Sequence, residues 1–147
     1  VADIPVGMDT YQLLRLPEYE HTYLLEEGAP MLPVKGMLLS LTRQDPVELD
    51  VISYDRKVCG DYLVYPAAAR MQVEKNDAVR IETVFFKDQR LYTRKGEYPG
   101  RLAAIDYASY MRGGRLVRLV LYPVQYDPVS KEVVLYKRLR VRVRLRK

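Results

Sequence analysis

The chain has 147 residues, the size of one ordinary domain, and can bury a core without disulfide or metal staples. With 48% hydrophobic and 29% charged residues it reads as globular, and no apolar run reaches the ~18 residues of a membrane-spanning helix. The net charge of +5 is local: Lys137 to Lys147 hold seven of the 24 basic side chains and none of the 19 acidic ones, so the rest carries a net −2.

In chain order, Pro30-Met31-Leu32-Pro33 leads into Val34 to Leu41, an apolar strand. Val47 to Ser53 alternates, with Val47, Leu49 and Val51 against Glu48 and Asp50, as a half-buried strand does. Lys57 to Tyr65 reads likewise, and Val79 to Phe86 is rich in β-branched and aromatic residues. Turn chemistry separates these runs at Gln44-Asp45-Pro46, Lys75-Asn76-Asp77 and Lys95-Gly96-Glu97-Tyr98-Pro99-Gly100. Leu102 to Met111 contains helix-favouring alanines, but it is short and Gly113-Gly114 follows, so it is taken as a strand.

Arg115 to Tyr122 and Glu132 to Tyr136 are further strands. Between them, Pro123 to Lys131 holds two prolines, an Asp and a Ser, which predicts a hairpin or a return connection bending at Pro123. The strongest local signal is Arg138 to Arg146. Side chains alternate faces along a strand, so Leu139, Val141, Val143 and Leu145 share one side and Arg138, Arg140, Arg142, Arg144 and Arg146 the other. Short strands, turn signals and no long amphipathic helix predict one all-β domain over 1–147, an antiparallel, jelly-roll-like β-sandwich.

The inventory for chemistry is thin. His21 and Cys59 are the only histidine and cysteine, so no internal disulfide forms and the redox compartment stays open. Cys59 lies in a strand-like run where a small thiol suits a core, and His21 in a polar segment, which argues against a nucleophilic dyad. Zinc wants three or four Cys or His ligands, and neither a phosphate loop nor a nucleophile elbow occurs. No catalytic residue, metal or cofactor is assigned.

Thirteen tyrosines raise base stacking, since Tyr92, Tyr98, Tyr107 and Tyr110 stand near basic residues. With a body at net −2, a nucleic-acid partner is not expected. Tyrosine also packs well on a pleated sheet with its hydroxyl at the edge. The arginine row has two readings: a solvated face that discourages edge-to-edge association, or a surface that meets an acidic partner.

Three stretches carry a family resemblance. Gly28-Ala29-Pro30-Met31-Leu32-Pro33 resembles the G-x-P-x-L-P opening of the propeptides of gingipain-type secreted cysteine peptidases. Tyr98-Pro99-Gly100 followed by Arg112-Gly113 is similar to the family's YPG…RG stretch. Tyr122 to Tyr136 resembles its P-V-Q-Y-N-P-x-T-K-x-L-x-V-Y signature, with Asp127 for Asn and Ser130 for Thr, both of which keep turn chemistry. The motifs span residues 28 to 145 in the family's order.

The resemblance implies a β-sandwich that packs on a downstream caspase-like catalytic domain, assists its folding and holds it latent. It implies a secreted, extracellular or periplasmic protein, and a basic loop residue that enters the peptidase's specificity pocket. No motif anchors that residue. The candidates are Arg70, Lys75 and Arg80 around the Asn76-Asp77 turn, and Arg94 and Lys95 before Gly96. The start, Val1-Ala2-Asp3-Ile4-Pro5, has no signal-peptide character, which fits signal removal and an arbitrary start equally, and the final strand lacks a stop signal, which suggests that more protein follows. The alternative needing only the strand pattern is a structural or adhesive β-sandwich module; a hydrolase using Cys59 or a folded acidic pair is the third reading.

Overall fold

The computed structural model describes residues 1–16, 22–42 and 46–145. Its strands are β1 (Ala2–Val6), β2 (Asp9–Leu13), β3 (Thr22–Tyr23), β4 (Pro33–Leu41), β5 (Val47–Gly60), β6 (Ala69–Lys75), β7 (Ala78–Val84), β8 (Ala103–Met111), β9 (Gly114–Leu121), β10 (Val124–Asp127) and β11 (Glu132–Leu145). A four-residue helix, α1 (Gln89–Tyr92), is the one helix among the described residues. Two larger antiparallel sheets run in the orders β10-β11-β5 and β3-β4-β9-β8, and the hairpins β1-β2 and β6-β7 form sheets of their own. The all-β, sandwich-like fold is the one predicted.

Two pairs of predicted strands are single long strands. Val47 to Ser53 and the start of Lys57 to Tyr65 join in β5, because nothing in Tyr54-Asp55-Arg56 breaks an extended chain. β5 stops at Gly60, short of Tyr65, where Asp61 turns to φ +73°. Glu132 to Tyr136 and the arginine row join in β11. Here the register slips between Lys137 and Arg140, and Arg138 takes φ +50°, as an inserted residue in a β-bulge does. β7 ends at Val84, before Phe86. The Gln44-Asp45-Pro46 turn falls mostly outside the described residues, as does Arg146.

The N-terminal hairpin and β6 are unpredicted additions. β1 and β2 pair Ala2 with Leu13 through Val6 with Asp9, around Gly7 at φ +61°. α1 is capped at both ends: the Asp88 carboxylate accepts from the Arg90 N–H at 3.0 Å, and the Thr93 hydroxyl donates to the Gln89 carbonyl at 2.7 Å.

The main core gathers Leu14, Leu32, Val64, Tyr92, Val124, Tyr126 and Val133, with Cys59, Tyr62 and Tyr98 packed around it. A smaller cluster holds Val34, Val120 and Tyr122. Burying each large apolar side chain contributes about 1.5–3 kcal/mol. Tyr126 has no exposed surface, yet its hydroxyl is satisfied, donating to the Tyr62 carbonyl at 2.7 Å. Tyr92 does the same toward the Val64 carbonyl at 2.6 Å.

Candidate functional site

Each of the three sequence motifs sends residues to this core: Leu32 from the first, Tyr98 from the second, and Tyr126 and Val133 from the third. Tyr98 and Tyr126 exchange backbone hydrogen bonds of 2.8 and 2.9 Å, joining the Tyr98-Pro99-Gly100 stretch to β10. Gln125, buried beside them, spends its whole amide. Its Oε1 accepts from the Gly100 N–H at 2.8 Å, and its Nε2 donates to the carbonyls of Arg101 and Tyr122 at 2.9 and 3.0 Å. Leu32 joins the same cluster, while the Met31 N–H donates to the Tyr65 carbonyl at 2.9 Å. These hydrogen bonds make the motifs a scaffold.

That scaffold holds an exposed basic loop. Thr93 closes α1 on one side. On the other, Glu97 accepts from the Arg56 guanidinium at 2.9 Å through Oε1 and from the Tyr136 hydroxyl at 2.8 Å through Oε2. Between these anchors run Arg94, Lys95 and Gly96, the last at φ +112°, a conformation that favours glycine. Arg94 and Lys95 are exposed, and neither has an ion-pair partner among the described residues. Two basic side chains thus stand on a short loop fixed at both ends.

The other loop candidates lie on the β6-β7 hairpin. Lys75 directly precedes the turn at Asn76 and Asp77, whose φ angles of +54° and +62° belong to a two-residue hairpin turn. Arg80 is tied to Glu82 by an ion pair of 2.6 Å. Arg70 sits at the base of the hairpin, away from the turn, where its N–H donates to Glu27 Oε1 at 2.9 Å. Sequence reading left out one comparable position: Arg112, exposed at the β8-β9 turn beside Gly113 at φ +82°. The Gly113-Gly114 pair is the signal that marks that turn.

The arginine row faces carboxylates of its own chain. Arg142 lies opposite Asp50 and Arg144 opposite Glu48 across the β5-β11 pair. Arg142 reaches Asp50 at 3.3 Å, and Arg144 reaches Glu48 at 3.2 Å and Asp50 at 2.9 Å. Arg138 reaches Asp55 at 3.5 Å. Arg140, opposite Ser53, is exposed and has no such pair among the described residues. Exposed pairs of this kind contribute about 0–1 kcal/mol each.

Cys59 is half-buried on β5 opposite Val133 and packs against the main core. His21 lies outside the described residues. Among the described residues no group of three His, Cys, Asp or Glu side chains stands close enough to hold a metal, and no helix is long and apolar enough to cross a membrane. Of the tyrosines near basic residues, Tyr92 and Tyr98 turn into the body, whereas Tyr110 is exposed. The side chain of Tyr107 lies outside the described set. Burial pushes the phenols of Tyr92, Tyr98 and Tyr126 above their ordinary range, and the Glu26 carboxylate, which accepts from Tyr98 at 2.7 Å, adds to the rise there.

Known proteins resemble this chain in sequence and in fold. Gingipain R1 of Porphyromonas gingivalis is 26% identical over 132 residues, which is 89% of this chain but 13% of that protein. A second Gingipain R1, from a named strain of the same organism, matches equally over 8% of its length, so the chain spans a small fraction of these relatives. The fold matches a structure of gingipain K from Porphyromonas gingivalis, solved for its zymogenic latency, with a TM-score of 0.73 and 21% identity over 99% of this chain and 79% of that one. It also matches the complex of Porphyromonas gingivalis RgpB pro- and mature domains, with a TM-score of 0.80 and 21% identity over 99% and 73%. The model of the family Propeptide_C25 matches residues 7–147, which include the clamp of Tyr98, Gln125 and Tyr126, and the chain belongs to that family.

Proposed function

We propose that this chain is the N-terminal propeptide of a secreted gingipain-like cysteine endopeptidase, which assists the folding of the downstream catalytic domain and keeps it latent. The observation that carries this reading is the family match across residues 7–147. Two solved structures of this fold concern zymogenic latency and a complex of pro- and mature domains, which supports the same role here. The catalytic groups belong to the downstream domain, and this chain supplies a recognition surface. Its compartment is extracellular or periplasmic, as for a secreted peptidase.

The inhibitory contact is a basic side chain that enters an acidic specificity pocket, where a guanidinium or ammonium makes charge-assisted hydrogen bonds. Arg94 and Lys95 suit the task best, because a loop held at both ends loses little freedom on binding. Arg70, Lys75 and Arg80 come after them, with Arg112 as a further position. Arg138, Arg140, Arg142 and Arg144, with Arg146 outside the described residues, are a second candidate for contact, and Arg140 has no ion-pair partner among the described residues.

The test is to add the purified chain to the mature peptidase of its own precursor. Inhibition should saturate at one chain per enzyme, and the R94A/K95A double variant should weaken it by about tenfold or more. Full peptidase activity in excess chain would overturn the reading.

A further inference from the structure

The β6-β7 hairpin makes a two-stranded sheet by itself, and Val79 and Ile81 on it are 59% and 66% exposed. Its two-residue turn pairs Lys75 with Ala78. In a hairpin closed that way, ladder bonds fall at this pair and at every second pair beyond it. The backbone N–H and C=O groups of Val79, Ile81 and Thr83 therefore point away from β6, and those of Arg70, Gln72 and Glu74 point away from β7. One of these is visibly used, since the Arg70 N–H reaches Glu27. Along β7, no backbone partner for the outward groups occurs among the described residues. The strand is a seven-residue open edge without proline, β-branched at all three outward positions. Natural proteins generally cover such an edge.

The charges along it indicate the cover. We propose that β7 pairs with β7 of a second copy of this chain, antiparallel about a twofold axis at Ile81. In that register Ile81 faces its own counterpart, Val79 faces Thr83 of the second copy, and Arg80 faces Glu82 of the second copy. Every outward N–H and C=O of the three residues gains a ladder partner. Arg80 and Glu82 fall in the non-hydrogen-bonded pairs, where side chains approach most closely. They already attract one another within the strand, so the twofold axis completes a ring of four alternating charges. Moving the axis by one residue sets Arg80 against Arg80, or Glu82 against Glu82, and like charges directly opposite are destabilising. The edge is complementary to itself in this register and repels its neighbours. One strand pair is smaller than a standard interface, so the dimer is weak and concentration-dependent.

Sedimentation of the whole chain from micromolar to near-millimolar concentration tests this, with R80E alone, E82R alone and the two mixed in equal amounts. Circular dichroism confirms that each variant is folded. The wild-type chain should dimerise, and either single variant should lose about tenfold or more in self-association. The mixture should recover it, because two acidic residues on one strand then meet two basic ones on the other. A wild-type chain that stays monomeric throughout, single variants that associate like the wild type, or a mixture no tighter than its parts would overturn the proposal.

Discussion

Tyr98 and Tyr126 hold each other through a reciprocal pair of backbone hydrogen bonds, 2.8 and 2.9 Å long. That pair fixes the Tyr98-Pro99-Gly100 stretch to β10, and the buried Gln125 amide completes the join. Replacing Gln125 by Leu keeps the bulk but strands the Gly100 N–H and two carbonyls. Leaving buried groups unsatisfied costs about 1–3 kcal/mol each, with water repairing part of the loss. Chemical denaturation should show Q125L less stable than the wild type by about 2 kcal/mol or more.

Glu97 links Arg56 on β5 to Tyr136 on β11 and so anchors the segment that carries Arg94 and Lys95. The Arg56 pair is substantially exposed, so its loss alone costs little, whereas the part-buried Tyr136 hydroxyl loses an acceptor. E97A should therefore stay folded but melt somewhat below the wild type, while inhibiting the peptidase several-fold less well. A variant whose inhibition is unchanged would detach the anchor from function.

Alkaline stability follows from the tyrosines. Tyr92 and Tyr126 keep their protons in the folded chain past the point where an unfolded phenol ionises, near pH 10, because burial disfavours the phenolate. The unfolded chain then binds fewer protons than the folded one. Their contribution is therefore complete below about pH 10 and declines above it, by about 1.4 kcal/mol per pH unit for each phenol that stays neutral. Urea unfolding at about pH 8 and about pH 11 should show the drop, with phenolate absorbance of the buried pair appearing only on unfolding.

The arginine row predicts a separation of stability from binding. Arg142 and Arg144 share Asp50, and Arg144 also meets Glu48, all at the surface. R142Q/R144Q should change the unfolding free energy by about 1 kcal/mol or less, less still at high salt. If this face touches the peptidase, the same variant slows association, and stopped-flow mixing over a range of ionic strength measures that.

Much of this was legible because local pattern reports local structure. The alternation of Arg138 to Arg146 announced a half-buried strand, and Asp127-Pro128-Val129-Ser130 announced the turn between β10 and β11, where the Asp127 side chain accepts from the Val129 N–H at 3.0 Å. Strand ends were harder to read. Nothing in Tyr54-Asp55-Arg56 or at Lys137 marks either a break or its absence, so β5 and β11 each looked like two strands. α1 is too short for any helical period to show, and the N-terminal hairpin turns on Gly7 alone.

The site was less legible than the fold. The carboxylates that meet the arginine row were visible as Glu48 and Asp50, but only the register of β5 on β11 brings them together. The anchoring of Arg94 and Lys95 likewise depends on Glu97 reaching Arg56 and Tyr136 from distant parts of the chain. The Tyr98-Pro99-Gly100 and Tyr122 to Tyr136 motifs could be recognised without their purpose being apparent. Folding shows that they clasp each other, a packing role that no single motif displays.

The most direct test of the account is to mix the chain with its mature peptidase, the catalytic cysteine alkylated so that nothing is cleaved, and to measure the mass of what elutes from a sizing column. The account predicts a stable complex with equal numbers of chain and peptidase, weakened by R94A/K95A. Separate elution of the two folded proteins at micromolar concentration would contradict it.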